Sequence, residues 1–169
     1  YNKKLSVCPL TTHLPIKLVA KNITKKFVEE KIQIINSFYK TTLKYKPNIG
    51  VTGLNPHCES ILSFNEDENI IIKAVRSQKN KGVNVKGPYP ADTIFLRKNR
   101  KKFDVILGMY HDQVLTPAKV IFEFDAINIT MGLPFLRVTP DHGPNEKMIG
   151  KNMSNPTSLI NALNFLDKN

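Results

Sequence analysis

The chain has 169 residues, enough for one domain with a core of its own, and 41% of them are hydrophobic. Its 25 Lys and Arg against 14 Asp and Glu give a net charge of +11, a field that draws in anionic ligands. The basic residues are scattered over helices and loops without interleaved aromatics, which argues against a nucleic-acid partner. Two cysteines, Cys8 and Cys58, exclude a disulfide scaffold and read as small buried side chains. With no apolar run of about 18 residues and no signal-peptide pattern, the expectation is a cytoplasmic protein with no membrane partner. The first residue is Tyr1 and a strand-like run comes almost at once, so an upstream portion is expected to be missing.

In chain order, Leu5–Leu10 reads as a strand, and Ile23, Phe27, Ile32, Ile35, Phe38 and Leu43 mark an amphipathic helix over Ile23–Lys44. Asn48–Gly53 is the next strand. The irregular stretch Cys58–Asn65 reads as a loop over the site. Glu66–Lys81 is a helix with Asp67 and Glu68 in its first turn, where the dipole favours carboxylates, and it stops before Gly82. Val83–Val85 is a short strand, Ala91–Arg97 a short helix and Phe103–Tyr110 a buried strand. Leu115–Phe122 is a helix with Pro117 in its first turn. Ala126–Thr130 and Leu133–Val138 read as strands. Asn155–Asp167 closes the chain as a helix, with Asn155 as N-cap and Pro156 at its first position. Strands alternating with helices imply one layered α/β unit over residues 1–169, with a mostly parallel sheet and flanking helices.

Three of the four histidines come after apolar strand-like runs: His13 after Leu5–Val7, His57 after Ile49–Val51 in GLNPH, and His111 after Val105–Leu107 in MYHDQ. Ligands of open α/β sheets bind outside the carboxyl ends of strands, so three imidazoles there point to a shared divalent-metal site. Singly, each would be an ordinary hydrogen-bonded residue. His142, in DHG, is read as a member of that site or as a turn residue serving the backbone with Asp141. Arg137 sits inside the core-like strand Leu133–Val138, where a charge is costly unless paired, so it must find a carboxylate, as a structural ion pair, or an anionic ligand. Lys119 lies on the apolar helix after His111, where a lysine ordinarily reaches to water. Asn128 interrupts Ala126–Thr130 and serves either strand-edge groups or a ligand. Asp92, in GPYPADT, caps a short helix or acts in catalysis, and Asp112 is placed to orient the His111 imidazole or to contact a metal directly. There is no GxGxxG and no GxxxxGK[ST] phosphate loop.

Together, TTHLP, GLNPH, GPYPADTIF, MYHDQ, the Lys119 segment, AINITMGLPFLR and DHG resemble the C-terminal half of the 4-hydroxythreonine-4-phosphate dehydrogenase family of pyridoxal phosphate biosynthesis. The resemblance covers nearly the whole chain. It implies a fold like that of isocitrate and isopropylmalate dehydrogenases, here incomplete at the N-terminus. It also implies a homodimer whose metal site is shared between subunits, with His13, His57 and His111 as ligands. Lys119, Asn128 and Arg137 match the substrate-binding positions, and Asp92 or Asp112 is expected to orient the metal site or relay a proton. The implied cofactors are NAD or NADP and a divalent cation, namely zinc, magnesium, manganese or cobalt. The implied reaction is oxidation of 4-phosphohydroxy-L-threonine to a 2-amino-3-oxo acid that decarboxylates to 3-amino-2-oxopropyl phosphate. A dehydrogenase of 4-phosphothreonate or 4-phosphoerythronate, or a non-catalytic metal- or anion-binding domain, are the alternatives. The chain departs from the family after GLNPH, where CESILSFNEDE replaces a Gly-rich loop, and after DHG, where PNEKMIG places Pro144 and Lys147.

Overall fold

Four apolar runs form a parallel sheet, seen in a computed structural model that describes residues 1–59, 61, 63–143 and 146–169. Strands β1 (Ser6–Thr11), β2 (Ile49–Thr52), β3 (Val85–Tyr89) and β4 (Val105–Tyr110) stand in the order β1-β4-β2-β3, every pair parallel. Central β4 is buried from Val105 to Met109, as expected of a parallel strand with both faces covered. Val105, Leu107 and Met109 point to one face and Ile106 to the other, in keeping with the two-residue period of a strand.

Helices α1 (Ile16–Asn22), α2 (Lys25–Thr41), α3 (Ile72–Asn80), α4 (Ala91–Ile94), α5 (Arg97–Arg100), α6 (His111–Phe122) and α7 (Thr157–Lys168) cover the strands. Val28, Ile32, Ile35 and Tyr39 form the inner stripe of α2, at helical spacing, against Leu107 and Met109. Burying each such isoleucine contributes roughly 2–3 kcal/mol of transfer free energy. On the opposite face Val114 of α6 packs with Ile106, Ile94 and Phe103. A second, antiparallel ribbon joins β5 (Ile127–Thr130) to β6 (Arg137–Pro140), and α7 lies on it through Ala162 and Phe165. The backbone of Tyr1 bonds Ile127 in both directions, which extends the ribbon's edge. Among the described residues no helix is long and apolar enough to cross a membrane.

The α/β class with a parallel sheet is as the sequence implies, and several boundaries differ for physical reasons. The helix expected over 23–44 is broken at Ile23, because Thr24 caps α2 by accepting the Phe27 amide at 3.2 Å. The segment before it, α1, is a separate helix that the periodicity does not show. The helix expected from Glu66 opens with a π-helical turn, Asp67–Ile71, and stops at Asn80, short of Gly82, whose φ of 81° suits glycine. Strand β3 begins where the expected strand Val83–Val85 ends, and the expected helix Ala91–Arg97 is two short turns. Helix α6 starts at His111, four residues before Leu115, so Pro117 is internal and withholds the amide that would bond the Gln113 carbonyl. Strand β6 starts only at Arg137, leaving Leu133 and Phe135 exposed. Asn155 accepts the Thr157 amide at 3.0 Å, as a cap does, although the helix starts at Thr157 and leaves Pro156 at the capping position. The divergent segments 58–65 and 144–149 include residues 60, 62, 144 and 145, so the expectation about Pro144 lies outside the described residues.

Gly108 is where β4 and α6 touch: a Cβ there would stand 2.3 Å from Cγ1 of Val114. Gly108→Ala is expected to destabilise the protein by about 1–3 kcal/mol through overpacking. The denaturant midpoint should fall with the slope unchanged; an unchanged midpoint would mean that α6 moves aside freely.

Candidate active site at the carboxyl ends of the strands

Because β1, β4 and β2 are parallel neighbours, the chain leaves all three at one edge of the sheet. His13 lies just past β1, His111 opens α6 directly after β4, and His57 comes after β2. The rings of His13 and His111 are neighbours, tilted by 50° with centroids 6.0 Å apart. His111 Nδ1 is 2.6 Å from Oδ1 of Asp112, a contact that orients the ring and makes Nε2 the nitrogen left for a ligand.

His13, His111, Lys119, Asn128, Asp141 and His142 line one open groove between α6 and the ribbon. Lys119 Nζ meets Oδ2 of Asp141 at 2.6 Å and also donates to that residue's carbonyl. The Asp141 amide in turn donates to Ser158 Oγ at 2.8 Å. In sequence Asp141 reads only as a turn residue; its role as partner of Lys119 has no local signal beyond the DHG triplet. His142 Nδ1 stands 3.2 Å from the carbonyl of Gly143, a turn contact, while its ring remains exposed at the groove.

Three expectations change. His57 is not among the residues lining the groove, and among the described residues no three His, Cys, Asp or Glu side chains stand close enough to hold a metal ion. Single-chain geometry thus brings together two of the three imidazoles. Arg137 does not sit in a core strand; it is exposed at the start of β6 and donates to Thr130 Oγ1 at 2.8 Å, so burial does not force an anionic partner on it. Asp92 does not cap α4, which starts at Ala91 after Pro90; it is exposed in the first turn.

The loop before His57 is held at each end. Asp67, fully buried, accepts the amides of Leu54 at 2.8 Å and Asn55 at 3.0 Å, and Asn55 Nδ2 at 2.9 Å. Its carboxylate therefore serves this loop, and helix-dipole complementarity does not account for its place. The Gly53 amide donates to the Tyr89 carbonyl at 2.9 Å. Beside it, burial first and the Asp67 charge second push the Cys58 thiol up to about 11, which agrees with an inert cysteine. Burial likewise raises Cys8.

A groove of imidazoles, a lysine and an amide at the carboxyl ends of a parallel sheet lies where open α/β proteins take their ligands, and defines the class of this protein as an α/β fold of that kind. The profile of the family described as pyridoxal phosphate biosynthetic protein PdxA matches residues 1–166, and the chain belongs to that family. It is 42% identical over 163 residues to the 4-hydroxythreonine-4-phosphate dehydrogenase of Sulfurihydrogenibium sp., a match covering 95% of this chain and 50% of the relative. The crystal structure of the Klebsiella pneumoniae 4-hydroxythreonine-4-phosphate dehydrogenase superposes with a TM-score of 0.83 at 33% identity, over 97% of this chain and 50% of that one. A terephthalate 1,2-cis-dihydrodiol dehydrogenase of Burkholderia xenovorans, 23% identical with a TM-score of 0.77, shares the fold. The chain spans about half the length of the curated relatives it matches.

Asp67→Ala strands the Leu54 and Asn55 amides, and is expected to cost roughly 2–4 kcal/mol, one to two for each donor left without a partner. Urea unfolding measures this. A loss below about 0.5 kcal/mol, the range of neutral surface changes, would show that water replaces the carboxylate.

Proposed function

We propose that this chain is the part of a 4-hydroxythreonine-4-phosphate dehydrogenase that carries its metal ligands and most of its anion-binding residues. The observation that supports it most directly is the neighbouring pair of His13 and His111, with His111 oriented by Asp112. With centroids 6.0 Å apart, the two rings would be the residues to hold a divalent cation between them. Two neutral imidazoles suit zinc or cobalt, and they also accept magnesium or manganese when oxygen ligands complete the shell. His57 completes the set from a second copy of the chain, in a homodimer, since its own chain does not bring it into the groove.

When bound, the divalent cation lowers the pKa of the substrate hydroxyl and NAD or NADP accepts the hydride. The protein's share is to hold and neutralise the substrate. Lys119, on the groove wall, and Arg137, on the ribbon, receive its phosphate and carboxylate, with Arg137 offering a planar fork for bidentate bonding. Asn128 donates or accepts at the groove's ribbon side. Lys119 is held by Asp141 until an anion competes for its ammonium group. Asp112 keeps the ring of His111 in one tautomer, and Asp92 stands on the strand-end side near Cys58, whose thiol feels its charge. Oxidation removes hydride from the hydroxyl-bearing carbon and a proton from its oxygen. The resulting 2-amino-3-oxo acid loses carbon dioxide to give 3-amino-2-oxopropyl phosphate.

In the natural polypeptide that carries this chain, NADH or NADPH should form from 4-phosphohydroxy-L-threonine only with a divalent cation present, and His111→Ala should abolish it. Turnover of 4-phosphothreonate or 4-phosphoerythronate alone would reassign the substrate; a bound cation without any turnover would make this a binding module. Arg137→Ala is expected to lower kcat/KM by roughly 100-fold, the scale of a charge-assisted hydrogen bond of about 2–3 kcal/mol, with the thermal midpoint unchanged. A loss of activity that merely tracks unfolding would refute a substrate-binding role for Arg137.

A further inference from the structure

The backbone ladder between β2 and β4 runs through Ile49↔Val105, Gly50↔Ile106 and Val51↔Leu107. Just beyond it, one side chain takes over. Gln113, half-buried in the first turn of α6, accepts the Met109 amide at 2.7 Å and the Thr52 hydroxyl at 2.7 Å through Oε1. Its Nε2 donates to the Gly53 carbonyl at 2.7 Å. Met109 lies two residues before His111, and Gly53 four before His57. The absence of a Cβ at Gly108 leaves room for this arrangement: one there would stand 3.2 Å from Gln113 Oε1.

We infer that Gln113 is a positioning residue that couples the His111 turn to the His57 loop, so that the two imidazoles are held in one fixed relation although each faces a different part of the site. The coupling rests on the dehydrogenase reading only for its purpose, not for its geometry. A backbone ladder could not do this work, because the two segments diverge at the sheet edge: one enters α6 and the other the turn pinned by Asp67. A primary amide can bridge them, since it offers an acceptor with two lone pairs and a donor on one rigid plane. Asp67 holds the far side of the same turn, so slack introduced at Gly53 is expected to reach His57 rather than spread through the sheet.

The test is heteronuclear NMR of the intact protein with labelled histidine, at one fixed pH, for the wild type, Gln113→Met and Thr52→Val. Gln113→Met keeps the length and lack of charge while removing all three bonds; Thr52→Val removes one and keeps the packing of β2. The expected result is that ring signals of both His57 and His111 move in Gln113→Met, that His57 moves less in Thr52→Val, and that His142 stays put in both. A titration with zinc or cobalt alone should then show an affinity lowered by roughly 10- to 100-fold in Gln113→Met. Movement of His111 without His57, or of neither, overturns the coupling, as does a lower thermal midpoint with both rings and the cation affinity unchanged. A wild type that binds no cation would instead sink the metal reading of the site, while the ring signals still decide the coupling. Should Gln113→Met fail to fold, Thr52→Val carries the decision on the His57 signal.

Discussion

Everything in this molecule hangs from the parallel pairing of β4 with β1 on one side and β2 on the other. Antiparallel neighbours would send successive connections to opposite ends; parallel ones deliver every outgoing segment to the same edge. With Cys8 opposite Leu107 and Leu107 opposite Val51, the three strands end nearly level, and their outgoing segments are set down side by side. Residues distant in sequence thereby share one rim. The helices needed to return the chain cover both faces, which is why β4 is apolar along almost its whole length.

The strand-helix alternation and the strand-end histidines are legible in the sequence because they come from periodicity and from the rule that ligands bind at carboxyl ends of strands. Less legible are features in which a side chain, rather than a pattern, decides. Thr24 is an ordinary cap signal hidden within a run of suitably spaced apolar residues, so α1 and α2 read as one helix. Asp67 reads as an N-terminal helix carboxylate and instead lies buried, turned back toward Leu54 and Asn55. Arg137 reads as buried because Leu133–Leu136 is apolar, yet that segment is a turn whose Leu133 and Phe135 face outward. The absence of His57 from the groove has no sequence signal either, since spacing shows which strand a residue follows but not which way its loop turns.

Acidic residues are scarce in a chain of +11, and their placement around the site is correspondingly informative. Asp112 meets His111, Asp141 meets Lys119, and Asp67 meets two backbone amides. Two of these orient groups that face the groove; the third orders the loop leading to His57. The Lys119–Asp141 pair is partly exposed, so solvent screening limits what it adds to stability. Its greater effect is geometric, as it holds an ammonium group against the ribbon.

His13 and His57 both have left-handed backbones, with φ of 55° and 59°, and Cys58 comes next at 61°. Such a conformation costs a side-chain-bearing residue about 1–2 kcal/mol. Nothing in the local sequence compels it, so the surrounding bonds must hold it. Around His57 those bonds are identifiable: Tyr89 takes the Gly53 amide, Gln113 the Gly53 carbonyl, and Asp67 the next two amides. His111, at the start of a regular helix, has no such strain and instead takes its orientation from Asp112. Of the two strand-end histidines that turn out of loops, His57 is the one whose approach is held by these bonds, and it is not among the residues lining the groove. Backbone strain at His57 is thus offset by bonds from β3, from α6 and from the turn before α3, elements that the parallel sheet brings to the same edge.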